Sequence, residues 1–80
     1  MKNKYSILVT GCGGDIGQSI GKILNEYSFV KSLYGIDITD KNAGQFIFKF
    51  FSLGLPCQNK EYISSLESFI DENNIDFIIP

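Results

Sequence analysis

Residues 5–24 read YSILVTGCGGDIGQSIGKIL, and the expected fold follows from this one stretch. Tyr5 to Thr10 is a β-rich apolar run that stops at a glycine cluster, as a strand buried on both faces of a parallel sheet does. From Asp15 onward, Ile16, Ile20, Ile23, Leu24 and Tyr27 recur at helical spacing and form one apolar stripe. Gly17 and Gly21 lie near that stripe. Each glycine costs about 1 kcal/mol of helix propensity relative to alanine, so a helix that carries two of them needs the close approach to a sheet that missing side chains allow.

Working outward, Val30 to Ile38 (VKSLYGIDI) reads as a second strand, with Asp37 near its end and a turn at Thr39, Asp40, Lys41 and Asn42. Phe46 to Leu55 holds four aromatics without clean alternation, which predicts a short helical or irregular connection and a strand around Lys49 to Leu53. Pro56 ends it. Lys60 to Asn73 presents Tyr62, Leu66, Phe69, Ile70 and Asn73 on one helical face, with Asn59 as the expected N-cap, Glu61 in the first turn and Asn73–Asn74 as the stop. Asp76 to Pro80 (DFIIP) reads as a fourth strand. With crossovers between parallel strands right-handed in about 98% of cases, this order predicts an α/β domain of three layers around a parallel sheet in order 3-2-1-4. Strands 1 and 4 are then neighbours where the winding reverses. Ligands of open α/β sheets bind at such a point, outside the carboxyl ends of the strands. The glycines sit there.

The 80 residues bound one small domain or a piece of one. Hydrophobic residues make up 44% and charged residues 20%, with only short apolar runs, so neither a disordered nor a membrane-spanning chain is expected. Lys2 and Lys4 precede an apolar stretch too short for a secretory leader. The net charge is -2 and the charges are scattered, which argues against a nucleic-acid partner. Arg, His and Trp are absent, so chemistry here leans on backbone groups, Lys, carboxylates and hydroxyls. Cys12 and Cys57 lack metal-ligand spacing and read as reduced thiols of a cytoplasmic protein; no metal site is expected.

The segment Thr10 to Gly17 carries Gly11, Gly14 and Gly17 at G-x-x-G-x-x-G spacing, with Gly13 between them. Glycines let an anion approach the main chain, and the free amides of a helix N-terminus supply about half a positive charge to meet it. No Gly-Lys-Ser/Thr follows, so this is not a Walker-type loop. Asp15 in the first turn satisfies the dipole itself and repels an anion unless it points outward. Asp37 lies 20 residues beyond Gly17, where an acid can take the ribose hydroxyls of a dinucleotide. The plainer reading is a tight strand-to-helix turn, with Asp37 capping the turn after it. Cys12 reads as a small filler of the loop, and Tyr27 with Lys31 as a chance match to a Y-x-x-x-K pair on the wrong side of the sheet.

The segment ILVTGCGGDIGQSI, the GIDITD ending of strand 2 and the tail LPCQNKEYISSLESFIDENNIDFIIP together resemble the N-terminal, pre-ATP-grasp domain of ATP-grasp enzymes, in particular those like the carbamoyl phosphate synthase large subunit. The resemblance covers nearly the whole chain and implies a Rossmann-like domain. In that family the domain precedes lobes that clamp ATP and magnesium, and the complete enzyme activates a carboxylate as an acyl phosphate. It implies a ligase piece inactive alone, with a small-molecule substrate and downstream ATP-grasp domains as partners. The loop Gly11, Gly13, Gly14, Asp15, Ile16 and Gly17, flanked by Asp37, would then face substrate or nucleotide, with no catalytic residue in the chain. The opening VTG-x-x-G-x-x-G and the strand-2 acid are also similar to extended short-chain dehydrogenases and sugar-nucleotide epimerases, which implies NAD(P) instead. Against that stands Pro80, where those proteins carry a small-residue stretch after strand 4.

Strand 4, with Phe77, Ile78 and Ile79, is an apolar sheet edge and the expected route to a homodimer. Sedimentation velocity should show concentration-dependent self-association; a strict monomer at high concentration counts against it.

Overall fold

A computed structural model describes residues 4–80, so Lys2 lies outside the described residues. The chain runs β1 (Tyr5–Thr10), α1 (Asp15–Leu24), β2 (Val30–Asp37), α2 (Gly44–Ile47), β3 (Phe50–Leu53), α3 (Tyr62–Asn73) and β4 (Phe77–Ile79). All strand pairs are parallel and the sheet order is β3-β2-β1-β4, the order expected from the sequence. Among the described residues no helix is long and apolar enough to cross a membrane.

Alternation along β1 sorts the layers. Ile7 and Val9 point to one face, where they join Cys12, Leu33 and Phe48 in a buried cluster closed by Ile20, Leu24 and Ile47 of the helices α1 and α2. Leu8, fully buried, points to the other face, as do Tyr34 and Thr10, and α3 covers that side through Phe69, whose ring meets Tyr34 edge-on at 5.8 Å between centroids. Tyr62, Leu66, Phe69, Ile70 and Asn73 are the half-buried positions of α3, the face the spacing predicts.

Helix α1 departs from the sequence reading. It ends at Leu24, and the residues it buries fully are Gly17 and Gly21. Ile16 at 78% and Ile23 at 57% exposure stand out to solvent, and Tyr27 lies beyond the helix. The reason is steric. A Cβ on Gly17 would lie 2.6 Å from the Gly11 carbonyl oxygen, and one on Gly21 would lie 2.6 Å from Phe48 Cζ, so the glycine side of the helix is the side that fits closest to the sheet. Leu24 and Ile20 pack at its margins, while Ile16 and Ile23 turn away.

The ends of α3 are fixed by asparagines. Asn59 does not occupy the cap position; its Oδ1 accepts the Glu61 amide at 2.8 Å, one turn ahead of the first helical residue, Tyr62. Asn74 takes φ 52° and ψ 48°, and the Ile75 amide donates back to the Ile70 carbonyl at 3.0 Å, which closes the helix in a Schellman-type stop. β4 is then held to β1 by a reciprocal pair: the Ser6 amide donates to Asp76 Oδ2 and the Asp76 amide donates to the Ser6 carbonyl, both at 2.8 Å. Phe77 remains 53% exposed at this edge, its ring 5.1 Å from that of Tyr5.

Substitution at Gly21 weighs a propensity gain of about 1 kcal/mol against overpacking of about 1–3 kcal/mol in a filled core. Because the atom in the way belongs to buried Phe48, Gly21→Ala should lower the unfolding free energy by about 1–2 kcal/mol in urea titration. A more stable variant would mean that Phe48 can move aside.

Candidate functional site

The glycine loop leaves β1 at its carboxyl end, and Gly11 makes the turn with φ +63°, a conformation other residues rarely adopt. The Gly14 amide then donates to the Gly11 carbonyl at 3.1 Å, and the Gln18 amide donates to the Gly14 carbonyl at 2.9 Å, which starts α1. Gly14 sits at the N-cap and no side chain caps the helix. The amides of Asp15, Ile16 and Gly17 find no acceptor among the described residues. Asp15 and Ile16 are exposed, and Gly17 is buried against Cys12.

Gly13 has a different fate. Its amide donates to Asp37 Oδ2 at 2.8 Å, and its carbonyl accepts Gln18 Nε2 at 2.7 Å. Asp37 Oδ1 accepts the Ile38 amide at 2.7 Å, and Asn42 Nδ2 lies 3.4 Å from Asp37 Oδ2. Asn42 also takes the Gly44 amide on its Oδ1 at 2.8 Å, which ties the turn after β2 to the start of α2. A Cβ on Gly13 would overlap both the Asn42 amide and the Asp37 carboxylate. The structure therefore brings Gly11, Gly13, Gly14 and Asp37 together as the spacing predicts, but the acid closes on the loop itself. Gln18 and Asn42, which hold this arrangement, carry no site motif in the sequence; only the turn containing Asn42 is legible there.

Cys12 is fully buried beneath the loop, its Sγ close to Gly35. Burial, reinforced by the neighbouring Asp37 carboxylate, pushes its thiol up to about 11, against a small opposing pull from a backbone hydrogen bond. It is a filler and not an activated nucleophile. Tyr27 and Lys31 lie at the amino end of the sheet beside Leu24, Val30 and Lys49, away from the loop.

Beside the loop lies a hollow of about 320 Å³ at the carboxyl ends of β1 and β2, bounded by Gly11, Asp37, Ile38, Pro56, Gln58 and Tyr62. A second, also about 320 Å³, continues from it beneath α3. Thr10, Ile36, Leu55 and Tyr62 border both. Nothing in the spacing pointed to Thr10 or Tyr62 as site residues, because hydroxyls at a strand end and on a helical face carry no motif. No protein-family model matches the sequence, and no curated protein matches it.

The two thiols should separate cleanly. With Ellman's reagent at pH 8 the native chain should give one fast thiol, exposed Cys57, and release the second only on unfolding, since Cys12 is protonated and sealed at that pH. Two fast thiols would mean that the loop opens readily.

Proposed function

We propose that this chain is the substrate-side, pre-ATP-grasp domain of an ATP-dependent carboxylate ligase of the carbamoyl phosphate synthase-like kind. The observation that supports this reading over the dinucleotide one is the engagement of Asp37. In a dinucleotide site the strand-2 acid takes ribose hydroxyls. Here its oxygens already accept the backbone amides of Gly13 and Ile38, with Asn42 alongside, so a ribose would have to share them.

ATP and magnesium, in this reading, belong to other lobes. Among the described residues no three metal-ligating side chains gather, and the loop lacks the lysine of a phosphate-binding Walker motif. When bound, they supply the phosphoryl group that activates a carboxylate. The part left to this chain is to hold and orient an acceptor. The start of α1, where no side chain caps the helix, provides positive potential, and the hollow between Gly11, Asp37 and Tyr62 provides a wall that excludes water from one side.

Titration calorimetry with NAD, NADP and ATP tests the choice. The chain should give no micromolar binding to any of the three. Micromolar NAD binding that disappears in both Asp37→Ala and the better-folded control Asp37→Asn would overturn the ligase reading in favour of a dehydrogenase or epimerase-like domain.

A further inference from the structure

Helix α3 is fastened to the sheet mainly at one end. Phe69 rests edge-on against Tyr34, Tyr34 stacks on Phe50 at 4.9 Å between centroids, and the left-handed Asn74 sets the exit into β4. None of the twelve residues of α3 is fully buried. The hollow beneath it lies under the other half of the helix, where Tyr62, Ser65 and Leu66 form the roof and Thr10 and Ile36 the floor. Leu53 and Leu55 make the outer wall. Gly54 brings that wall in: its amide donates to the Asp37 carbonyl at 2.8 Å, and a Cβ there would overlap Ile36 Cγ2.

The lining selects a ligand class. No charged side chain borders this hollow, so an ion placed there would lose hydration without compensation. Its apolar surfaces include two aromatic rings, Tyr62 and Phe69. The hydroxyls of Thr10 and Tyr62 have no hydrogen-bond partner among the described residues, whereas that of Ser65 already donates to the Tyr62 carbonyl at 3.0 Å. A dry cavity of about 150 Å³ suffices for benzene, so about 320 Å³ admits one ring with a substituent or a fused ring.

We propose that this hollow binds a neutral aromatic group of one or two rings, packed against Phe69 and Ile36 with its polar edge at the Thr10 and Tyr62 hydroxyls. The group reaches it through the adjoining hollow beside Gly11. The inference rests on the acceptor-side reading, and within it the ring belongs to the acceptor.

Indole is the probe, because the chain contains no tryptophan to mask its fluorescence, and benzoate is the charged counterpart. In amide-resolved NMR titrations indole should shift Thr10, Ile36, Leu66 and Phe69 saturably with submillimolar affinity, and benzoate should leave them unmoved. Ser65→Phe, which fills the hollow from an exposed helical position, should abolish the indole shifts. Thr10→Val should weaken indole about fivefold, the loss of one hydrogen bond. Absence of saturable indole shifts, indole shifts confined to the α1 and α2 face, or binding undiminished in Ser65→Phe each overturn the proposal. Those outcomes leave the ligase reading standing, and micromolar NAD binding sinks the ligase reading whatever indole does.

Discussion

The ring of Phe48 occupies a slot made by two glycines, and the packing of one whole face of the sheet depends on that fit. A Cβ on Gly21 would lie 2.6 Å from Phe48 Cζ, and one on Gly35 would lie 2.6 Å from Phe48 Cγ. The ring is thus held between α1 and β2 while it caps α2, and it is 1% exposed. Filling either glycine would force the ring aside, and emptying the ring would leave a cavity between the layers. The seat also positions Cys12, whose Sγ approaches the same Gly35, so the underside of the glycine loop and the aromatic plug share one wall.

This constraint explains which parts of the fold were legible in the sequence. β1, β2 and the spacing of α3 follow from simple periodicities, and the parallel order β3-β2-β1-β4 follows from their alternation with helices. The inward side of α1 follows only in part: the close approach of Gly17 and Gly21 is legible, and the outward turn of Ile16 and Ile23 is not. Counting apolar residues favours Ile16, Ile23 and Tyr27, yet the helix turns its glycines inward, because close approach matters more than side-chain hydrophobicity where a large ring must be housed. Among Phe46, Phe48, Phe50 and Phe51 no pattern singles out Phe48, because four residues of helix and four of strand are too short to show a period. Only the three-dimensional slot selects it.

The same contrast runs through the candidate site. Spacing alone foretells that Asp37 meets the glycine loop, but not that it meets it by hydrogen-bonding the Gly13 amide. Beside it, Asn42 accepts the Gly44 amide and so fastens the turn after β2 to α2. A local motif therefore reports proximity, whereas function depends on whether the meeting leaves room for a ligand. The space that remains lies to the side, under a helix whose N-terminal half is set by an Asx turn at Asn59 and a proline-containing connection.

The reciprocal bond between Ser6 and Asp76 joins positions 70 residues apart in sequence. During synthesis β1 emerges first and can pair with β2 early, but its other edge has no partner until β4 has been made. At translation rates of about 5–20 residues per second that edge waits on the order of ten seconds. An apolar strand with one open edge is a template for foreign pairing. The nascent chain is therefore most exposed to misassembly along the same side of β1 that β4 finally closes, and a chaperone that shields this edge would act before α3 has formed.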